Sequence, residues 1–153
     1  MLFRSYHIIY NETLRDRVCA VSNKTHYNEM NVLSMHALIG AYQPQGYEWV
    51  DELNQVLAGN IEYFCTYAEK HWKGVAFSRP QGTYMVFLDC TEWCREHGRD
   101  IQWLLDEGAR VGVGYQDGRP FHGPCHIRVN LALPLSRVRE ACDRLDRYVF
   151  NAR

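Results

Sequence analysis

The stretch Tyr115-Gln-Asp-Gly-Arg-Pro-Phe-His-Gly-Pro-Cys-His-Ile-Arg-Val-Asn-Leu-Ala-Leu-Pro134 decides the fold of this chain. Its first half is rich in glycine and proline, which predicts turns. Its second half, residues 126–133, predicts a strand with one buried face, because apolar residues occupy every second position. These apolar residues are Ile127, Val129, Leu131 and Leu133.

Arg128 lies in the middle of this predicted strand, on the face opposite the apolar residues. A planar guanidinium on a rigid strand is suited to binding a carboxylate through two parallel hydrogen bonds. The ordinary alternative is that Arg128 pairs with a structural Asp or Glu, or faces water, as most arginines on strands do. Spacing alone favours this ordinary alternative.

Three segments of the chain carry a resemblance to a known family. Arg128-Val-Asn-Leu-Ala-Leu-Pro134 resembles the R-x-N-x-A-x-P signature of the fold-type I pyridoxal 5′-phosphate (PLP) enzymes, class I/II aminotransferases. Pro80-Gln-Gly-Thr-Tyr-Met-Val-Phe-Leu-Asp89 is similar to a strand of the cystathionine β-lyase-like branch, with Phe87 where the family often has Trp. Ser5-Tyr-His-Ile-Ile-Tyr-Asn11 is similar to the strand that follows the cofactor lysine.

The resemblance implies a role for Arg128 as the residue that binds the α-carboxylate of an amino-acid substrate. It also implies that the PLP-binding lysine lies before Met1, together with most other PLP contacts. We therefore expect no catalytic and no cofactor-binding residue here, and no tightly bound PLP. The resemblance predicts the C-terminal part of an aminotransferase or C–S lyase, inactive alone and homodimeric; the sequence does not decide between these two activities.

The same resemblance predicts three divisions of the chain. Residues 1–45 would be a remnant of the PLP-binding large domain, residues 46–73 a long connecting helix, and residues 74–153 the C-terminal small domain. From residue 74 the predicted order of elements is β-β-α-β-β-α, which favours an α+β two-layer sandwich. In this fold a mainly antiparallel sheet is covered by helices on one face.

Along the chain, apolar spacing and turn residues predict the following elements. The first helix has Asn11 and Thr13 as candidate caps and is broken at Ser22-Asn-Lys-Thr25. The other helices are Asn28–Ala41, Trp49–His71, Thr91–Glu107 with an interruption near Gly98, and Leu135–Val149 with Ser136 as candidate N-cap. The strands, besides the one at residues 126–133, are Tyr6–Tyr10, Val75–Phe77, Thr83–Leu88 and Val111–Val113. Gly82 is expected at a bulge or at a close backbone approach, and Gly108 at a helix C-terminus.

The turn-rich segment contains other chemical candidates. His122 corresponds to a loop that lines the substrate entrance in the family, so it is a candidate contact for a substrate side chain. His122, Cys125 and His126 together suggest a metal site only weakly, since no second ligand cluster accompanies them. Cys125 beside a histidine is a candidate reactive thiol, but the sequence shows no third group to orient the base. Tyr84 is a candidate core residue or active-site wall, and we expect core.

Composition narrows the classes of protein. The chain has 153 residues, of which 46% are hydrophobic, and a formal net charge of −1. These values are typical of one globular domain and give no electrostatic reason to expect nucleic acid or an anionic membrane. The N-terminus has no pattern of a secretory signal. We expect a cytoplasmic protein whose six cysteines are free thiols.

A second hypothesis belongs to a different class of protein. The chain would be a free-standing, non-catalytic α/β module that binds a small carboxylate or a protein partner. The two hypotheses differ in whether the gene continues upstream of the Met1 codon.

Overall fold

The computed structural model describes residues 7–26 and 31–151, which belong to two compact units divided between residues 47 and 48. Each unit is considered by itself. The α-helices are α1 Glu12–Thr25, α2 Val32–Ala41, α3 Pro44–His71, α4 Thr91–His97, α5 Ile101–Arg110 and α6 Leu135–Leu145. The strands are β1 Met85–Asp89, β2 Gln116–Asp117 and β3 His126–Asn130.

The first unit contains α1 and α2, and an asparagine caps each helix. Asn11 Oδ1 accepts a hydrogen bond from the Leu14 N–H at 2.9 Å, as the sequence predicted. Asn31 Oδ1 accepts one from the Ser34 N–H at 2.8 Å. Both bonds satisfy N–H groups that have no partner within the helix. Helix α1 runs past Ser22 to Thr25, so the predicted break at Ser22 is wrong.

The described part of the predicted N-terminal strand is not a strand. Residues 7–10 form no strand, which contradicts the prediction for that part of Tyr6–Tyr10. A β-rich run needs a neighbouring strand to satisfy its backbone groups, and propensity alone does not provide one. The Ser5–Tyr6 part of this segment and residues 28–30 of the predicted second helix lie outside the described residues.

Helix α3 is the long helix that the apolar spacing predicted, but it begins five residues earlier than Trp49. Pro44 is its first residue. Proline is favoured in this position because its missing N–H has no partner in the first turn anyway, and its φ angle already suits a helix. Residues 44–46, whose proline and glycine are typical of a loop, are therefore the first turn of the helix.

The sheet is antiparallel, and its strand order is β1-β3-β2. An isolated antiparallel bridge joins Ala76 to Asp89, so the predicted strand Val75–Phe77 is reduced to one paired residue. The predicted strand Val111–Val113 is a helix C-terminus instead. Gly112 has φ 76°, and the N–H of Val113 donates to the Gly108 carbonyl at 2.8 Å, which uses the donor that a strand would need.

The core of the second unit lies on one side of this sheet. The buried strand residues Val86, Leu88, Ile127 and Val129 pack with helical residues, which are Phe64, Cys65, Ala68, Trp93, Cys94, Ile101, Leu104, Val138, Cys142 and Leu145. Trp93 Nε1 donates to the Phe150 carbonyl at 3.1 Å, so its one polar group is satisfied. The observed fold is α+β, with a small antiparallel sheet and helices, as predicted.

The sequence misplaced several boundaries in this unit. Gly98, with φ 59°, ends α4, so the single predicted helix Thr91–Glu107 is two helices. Gly108 is inside α5 rather than at its end, and its missing side chain leaves room for the Tyr115 ring. A Cβ on Gly82 would meet nothing within 4 Å, so Gly82 allows no close approach. Ser136 lies inside α6, which follows Pro134 directly.

The last helix also ends earlier than predicted. Helix α6 stops at Leu145, and residues Asp146–Phe150 continue as a π-helical turn. Val149 and Phe150 in this turn are buried, so the apolar face that the sequence predicted persists after the helix type changes. In the part of the chain that the structure describes, no helix is long and apolar enough to cross a membrane.

Candidate functional site

Arg128 occupies the centre of the sheet. It lies on β3, the middle strand, opposite Phe87 of β1 and Gln116 of β2. Its neighbours Ile127 and Val129 are buried at 0% and 7% exposure, so the alternation of the strand places Arg128 on the outer face. Because β3 is paired on both sides, the backbone that carries Arg128 is held by hydrogen bonds to two strands.

The outer face ends where the strand ends, and this is earlier than the sequence predicted. Leu133, expected on the buried face, is 48% exposed. The reason is a turn: Asn130 Oδ1 accepts a hydrogen bond from the Ala132 N–H at 2.8 Å. Asn side chains favour such turns because they replace a backbone partner. The buried Asn60 of α3 then donates to the carbonyls of Leu131 at 2.9 Å and Leu133 at 2.7 Å.

Gln116 holds one edge of the Arg128 guanidinium. The Gln116 side-chain oxygen accepts hydrogen bonds from Nε at 2.7 Å and from Nη2. A guanidinium has five N–H donors, so three remain without a bond to another described residue. In residues 7–26 and 31–151 no carboxylate forms an ion pair with Arg128. The ordinary expectation, a structural partner of opposite charge, is therefore not what this part of the chain provides.

Phe121 covers one face of the same guanidinium. The Arg128 Cζ lies 4.0 Å from the centroid of the Phe121 ring, which is a cation–π arrangement. Phe121 ends a short 3₁₀ turn, Arg119–Phe121. Its N–H donates to the Gly118 carbonyl at 2.9 Å, and the Gly118 N–H donates to the His126 carbonyl at 2.8 Å. These bonds anchor the turn to the beginning of β3.

The turn also approaches the sheet closely at Gly123. A Cβ on Gly123 would lie 2.5 Å from the Phe87 ring and 2.6 Å from the His126 ring. These two rings stack on each other, with centroids 4.6 Å apart. Only a residue without a side chain allows the chain to pass here. Residues 118–123 therefore fold over the outer face, and we call them the covering loop.

Arg119 attaches the covering loop to β2 and to α5. Its guanidinium pairs with Asp117 at 2.7 Å and donates to the side chain of Gln102 in α5 at 3.0 Å. The Arg119 N–H also donates to Asp117 at 2.9 Å. This backbone hydrogen bond, reinforced by the Arg119 guanidinium, holds the pKa of the Asp117 carboxyl below its ordinary value. The carboxylate is thus charged at neutral pH and keeps the loop in place.

His122, the second candidate from the sequence, lies at the end of the covering loop. It follows Phe121 and has a left-handed backbone conformation, φ 61°. Its imidazole is exposed, and no hydrogen bond or ring contact joins it to another described residue. The structure brings Gln116 and Phe121, rather than His122, into contact with Arg128. His122 as a substrate contact stays a prediction.

Neither a metal site nor a reactive thiol emerges from the remaining candidates. Across the described ranges, 7–26 and 31–151, no three His, Cys, Asp or Glu residues form a metal-binding group. Cys125 packs against the core, whereas the next residue, His126, stacks on the outer face against Phe87. His126 Nε2 lies 3.9 Å from Asp89. The Cys125 thiol therefore lies against the core, and the His126 imidazole lies on the outer face of the sheet.

Tyr84 is half-buried and outside the core, so its assignment to the core was wrong. It lines a cavity of about 570 Å³ between α3 and the segment before β1. Arg79 at the rim of this cavity forms ion pairs with Glu62 at 2.6 Å and Glu69 at 2.8 Å. These ion pairs attach the segment to α3. They engage the Arg79 guanidinium with protein carboxylates rather than with a ligand.

Comparison with known proteins gives the family context. No family model matches the chain. A relative from Mycobacterium leprae named "Putative cystathionine beta-lyase" is 33% identical over 124 residues, 71% of this chain. A PLP-bound C–S lyase from Staphylococcus hominis superimposes with a TM-score of 0.76 at 26% identity, covering 91% of this chain and 36% of that one. In sequence and in fold, the chain corresponds to the C-terminal part of the fold-type I PLP-dependent enzymes.

Cystalysin from Treponema denticola, which contains a PLP cofactor, superimposes on this chain with a TM-score of 0.78 at 23% identity. This similarity shows a shared fold. The chain covers 35% of cystalysin and 30% of the M. leprae relative. It thus spans about a third of the length of the proteins it matches. The fold-type I resemblance that residues 80–89 and 128–134 predicted is confirmed, within the branch of aminotransferases and C–S lyases.

Proposed function

We propose that this chain acts as the C-terminal part of a PLP-dependent aminotransferase or C–S β-lyase, and that Arg128 binds the α-carboxylate of the amino-acid substrate. The observation that carries this proposal is the partly engaged guanidinium on the central strand. Gln116 occupies two of its N–H groups, Phe121 covers one face, and the remaining N–H groups have no protein partner in the described chain.

A carboxylate is the ligand that suits this arrangement. It is planar and accepts two parallel hydrogen bonds from one guanidinium, which gives it a fixed orientation. Each hydrogen bond to a charged group contributes about 1.5–3 kcal/mol when it is well formed. Since Arg128 has no carboxylate partner within the described residues, a bound anion would not have to displace a structural ion pair. The role of Arg128 is to bind and orient the substrate, not to transfer a proton.

The chain itself does not complete a PLP site. Its three lysines are Lys24 in α1, Lys70 in the last turn of α3 and Lys73 in the following turn, and all three are exposed. None belongs to the outer face that carries Arg128. When bound, PLP supplies an electron sink for bond breaking at the substrate Cα. We propose that these 153 residues alone bind no PLP tightly and catalyse neither transamination nor β-elimination.

The remaining parts of the proposal concern organisation. Residues 1–45 would be a remnant of the large domain, residues 46–73 the connecting helix and residues 74–153 the small domain, with His122 at the substrate entrance. We also propose a cytoplasmic homodimer. The similarity to fold-type I enzymes supports the proposed divisions of the chain.

The carboxylate role is tested by binding. The chain is titrated with acetate while the Arg128 Nε–H resonance is followed by NMR. We expect a saturable shift that is lost in Arg128→Gln. Arg137→Gln is the matched control, because Arg137 is an exposed arginine paired with Glu140 on α6. Equal acetate binding by Arg128→Gln and the parent would overturn the proposal. Separately, turnover above that of free PLP in a PLP-saturated sample would contradict inactivity.

The alternative function is a non-catalytic module that binds a small carboxylate or a protein partner. The same half-engaged Arg128 supports it, because acetate binding by itself requires no cofactor. DNA sequence directly upstream of the Met1 codon discriminates between the two. An open frame that encodes a large-domain segment with a lysine shortly before Ser5 supports the enzyme part, and an in-frame stop supports the module.

A further inference from the structure

Gln116 provides a neutral acceptor where an acidic residue would be the usual partner of an arginine. Its side-chain oxygen accepts from both Nε and Nη2 of Arg128, which fixes the plane of the guanidinium. A Glu in the same position would form the same two bonds with a full negative charge. The positive charge of Arg128 would then be neutralised before any ligand arrives.

Phe121 restricts the guanidinium in a second way. Its ring lies against one face of Arg128, so the side chain cannot rotate freely out of the plane set by Gln116. The ring attracts the cation but, being uncharged, does not neutralise it. Arg128 is thus held by two neutral groups from two different segments, β2 and the covering loop.

The covering loop gives Phe121 a fixed position. The Gly123 N–H donates to the Gly118 carbonyl at 3.0 Å, which closes the loop on itself. Arg119 ties it to Gln102 of α5 at 3.0 Å. A long arginine side chain loses considerable rotamer entropy when it is ordered. Holding it in advance means that a ligand does not bear this cost at the moment of binding.

We propose that Gln116 and Phe121 are positioning residues that hold Arg128 in a carboxylate-binding orientation while leaving its charge uncompensated. This inference rests on the proposed function of Arg128 and extends it to two residues that the sequence did not single out. The neutrality of residue 116 is the specific requirement. Replacement by an acid should therefore weaken binding even though the hydrogen bonds to Arg128 are kept.

The decisive variants are Gln116→Glu and Gln116→Met. Gln116→Glu keeps the acceptor and adds a charge, so we expect acetate affinity to fall by about tenfold or more, as for loss of one charge-assisted hydrogen bond. The Arg128 Nε–H resonance should stay as dispersed as in the parent. Gln116→Met keeps the length but removes the acceptor, so we expect that resonance to move towards the position of a free arginine, with a smaller loss of affinity.

Two controls separate the possible failures. Gln81→Glu makes the same charge change at an exposed glutamine outside the site, and it should leave acetate binding unchanged. Phe121→Leu keeps an apolar cover without the aromatic ring and should weaken binding less than Phe121→Ala. If Gln116→Glu binds acetate as the parent does while Arg128→Gln does not, the positioning role is wrong and the function of Arg128 stands. If Arg128→Gln also binds normally, the proposed function itself is wrong.

Discussion

The two faces of strand β3 have different tasks. On the inner face, Ile127 and Val129 are buried among the helices and contribute to stability. On the outer face, the described residues that contact the Arg128 guanidinium are the neutral Gln116 and Phe121, and three of its N–H groups have no partner in that part of the chain. One five-residue strand thus combines a packed side with a binding side. Substitutions on the two faces should therefore separate stability from carboxylate binding.

The largest expected effect is on the inner face. Ile127→Ala removes a side chain with 0% exposure from the centre of the sheet, and such a truncation lowers the free energy of unfolding by about 2–5 kcal/mol. Urea denaturation measures this loss. Ile127→Val, the matched control, should cost about 0.5–1.5 kcal/mol. A loss below that of the Val variant would show that the inner face does not carry stability.

Asn60 tests whether a polar contact on the packed side also serves stability. Its side chain is 1% exposed and donates to the carbonyls of Leu131 and Leu133, which lie just after β3. Asn60→Ala removes both of these hydrogen bonds, although the Leu131 carbonyl still accepts from the Leu133 N–H, and it should cost about 1–3 kcal/mol in denaturant unfolding. Asn54→Ala, on the same helix, is the comparison variant. Comparable stability of the two variants would contradict this role of Asn60.

Gly123 tests the outer face. In Gly123→Ala the new Cβ would meet the Phe87 and His126 rings, so the covering loop must shift. We expect a modest destabilisation of about 1–3 kcal/mol from overpacking. Acetate binding should weaken further than this stability loss explains, because Phe121 moves with the loop. Gly114→Ala, at a glycine with open space around it, should leave binding intact. Unaltered binding in Gly123→Ala would show that loop position is irrelevant.

The smallest effect concerns pH. Asp117 has a pKa below its ordinary value in the folded chain, so its ion pair with Arg119 is fully present above the ordinary carboxyl pKa, about 4. The contribution is lost as the pH falls through the lowered folded-state pKa. The Arg119 Nε–H resonance should therefore be constant between about pH 5 and pH 7, where the Asp117 carboxyl is ionised, and should change only at lower pH. Asp117→Asn should remove that change, and persistence of the change would assign it to another group.

The inner face of β3 was predictable because burial imposes a period of two on the sequence. Ile127 and Val129 follow that period, and Arg128 between them is placed outside by the same rule. The length of the strand was not predictable in this way. Leu133 continues the apolar alternation, but the Asn130 side chain bonds to the Ala132 N–H and turns the chain away. Alternation records a hydrophobic pattern and carries no information about this local competitor.

The partners of Arg128 were not predictable from the sequence, for a different reason. Gln116 reaches Arg128 through the register of β2 against β3, and Phe121 through a loop that closes by backbone hydrogen bonds. Neither register nor loop closure follows from the types of the two residues. The only signal was the density of glycine and proline in the intervening segment, which indicated tight turns but not what they would cover. Gly118 and Gly123 are the residues that make this close approach feasible.

The strand order β1-β3-β2 has a consequence for how the chain acquires its structure. The central strand comes last along the sequence, so β1 and β2 have no common neighbour until residues 126–130 have been synthesised. β1 must wait for a partner that lies about forty residues further along, and such distant pairing slows folding. A ribosome-bound chain that stops before residue 126 would therefore contain the segments of α1 to α5, but neither the sheet nor α6. Carboxylate binding would be acquired in the same late step that forms the sheet.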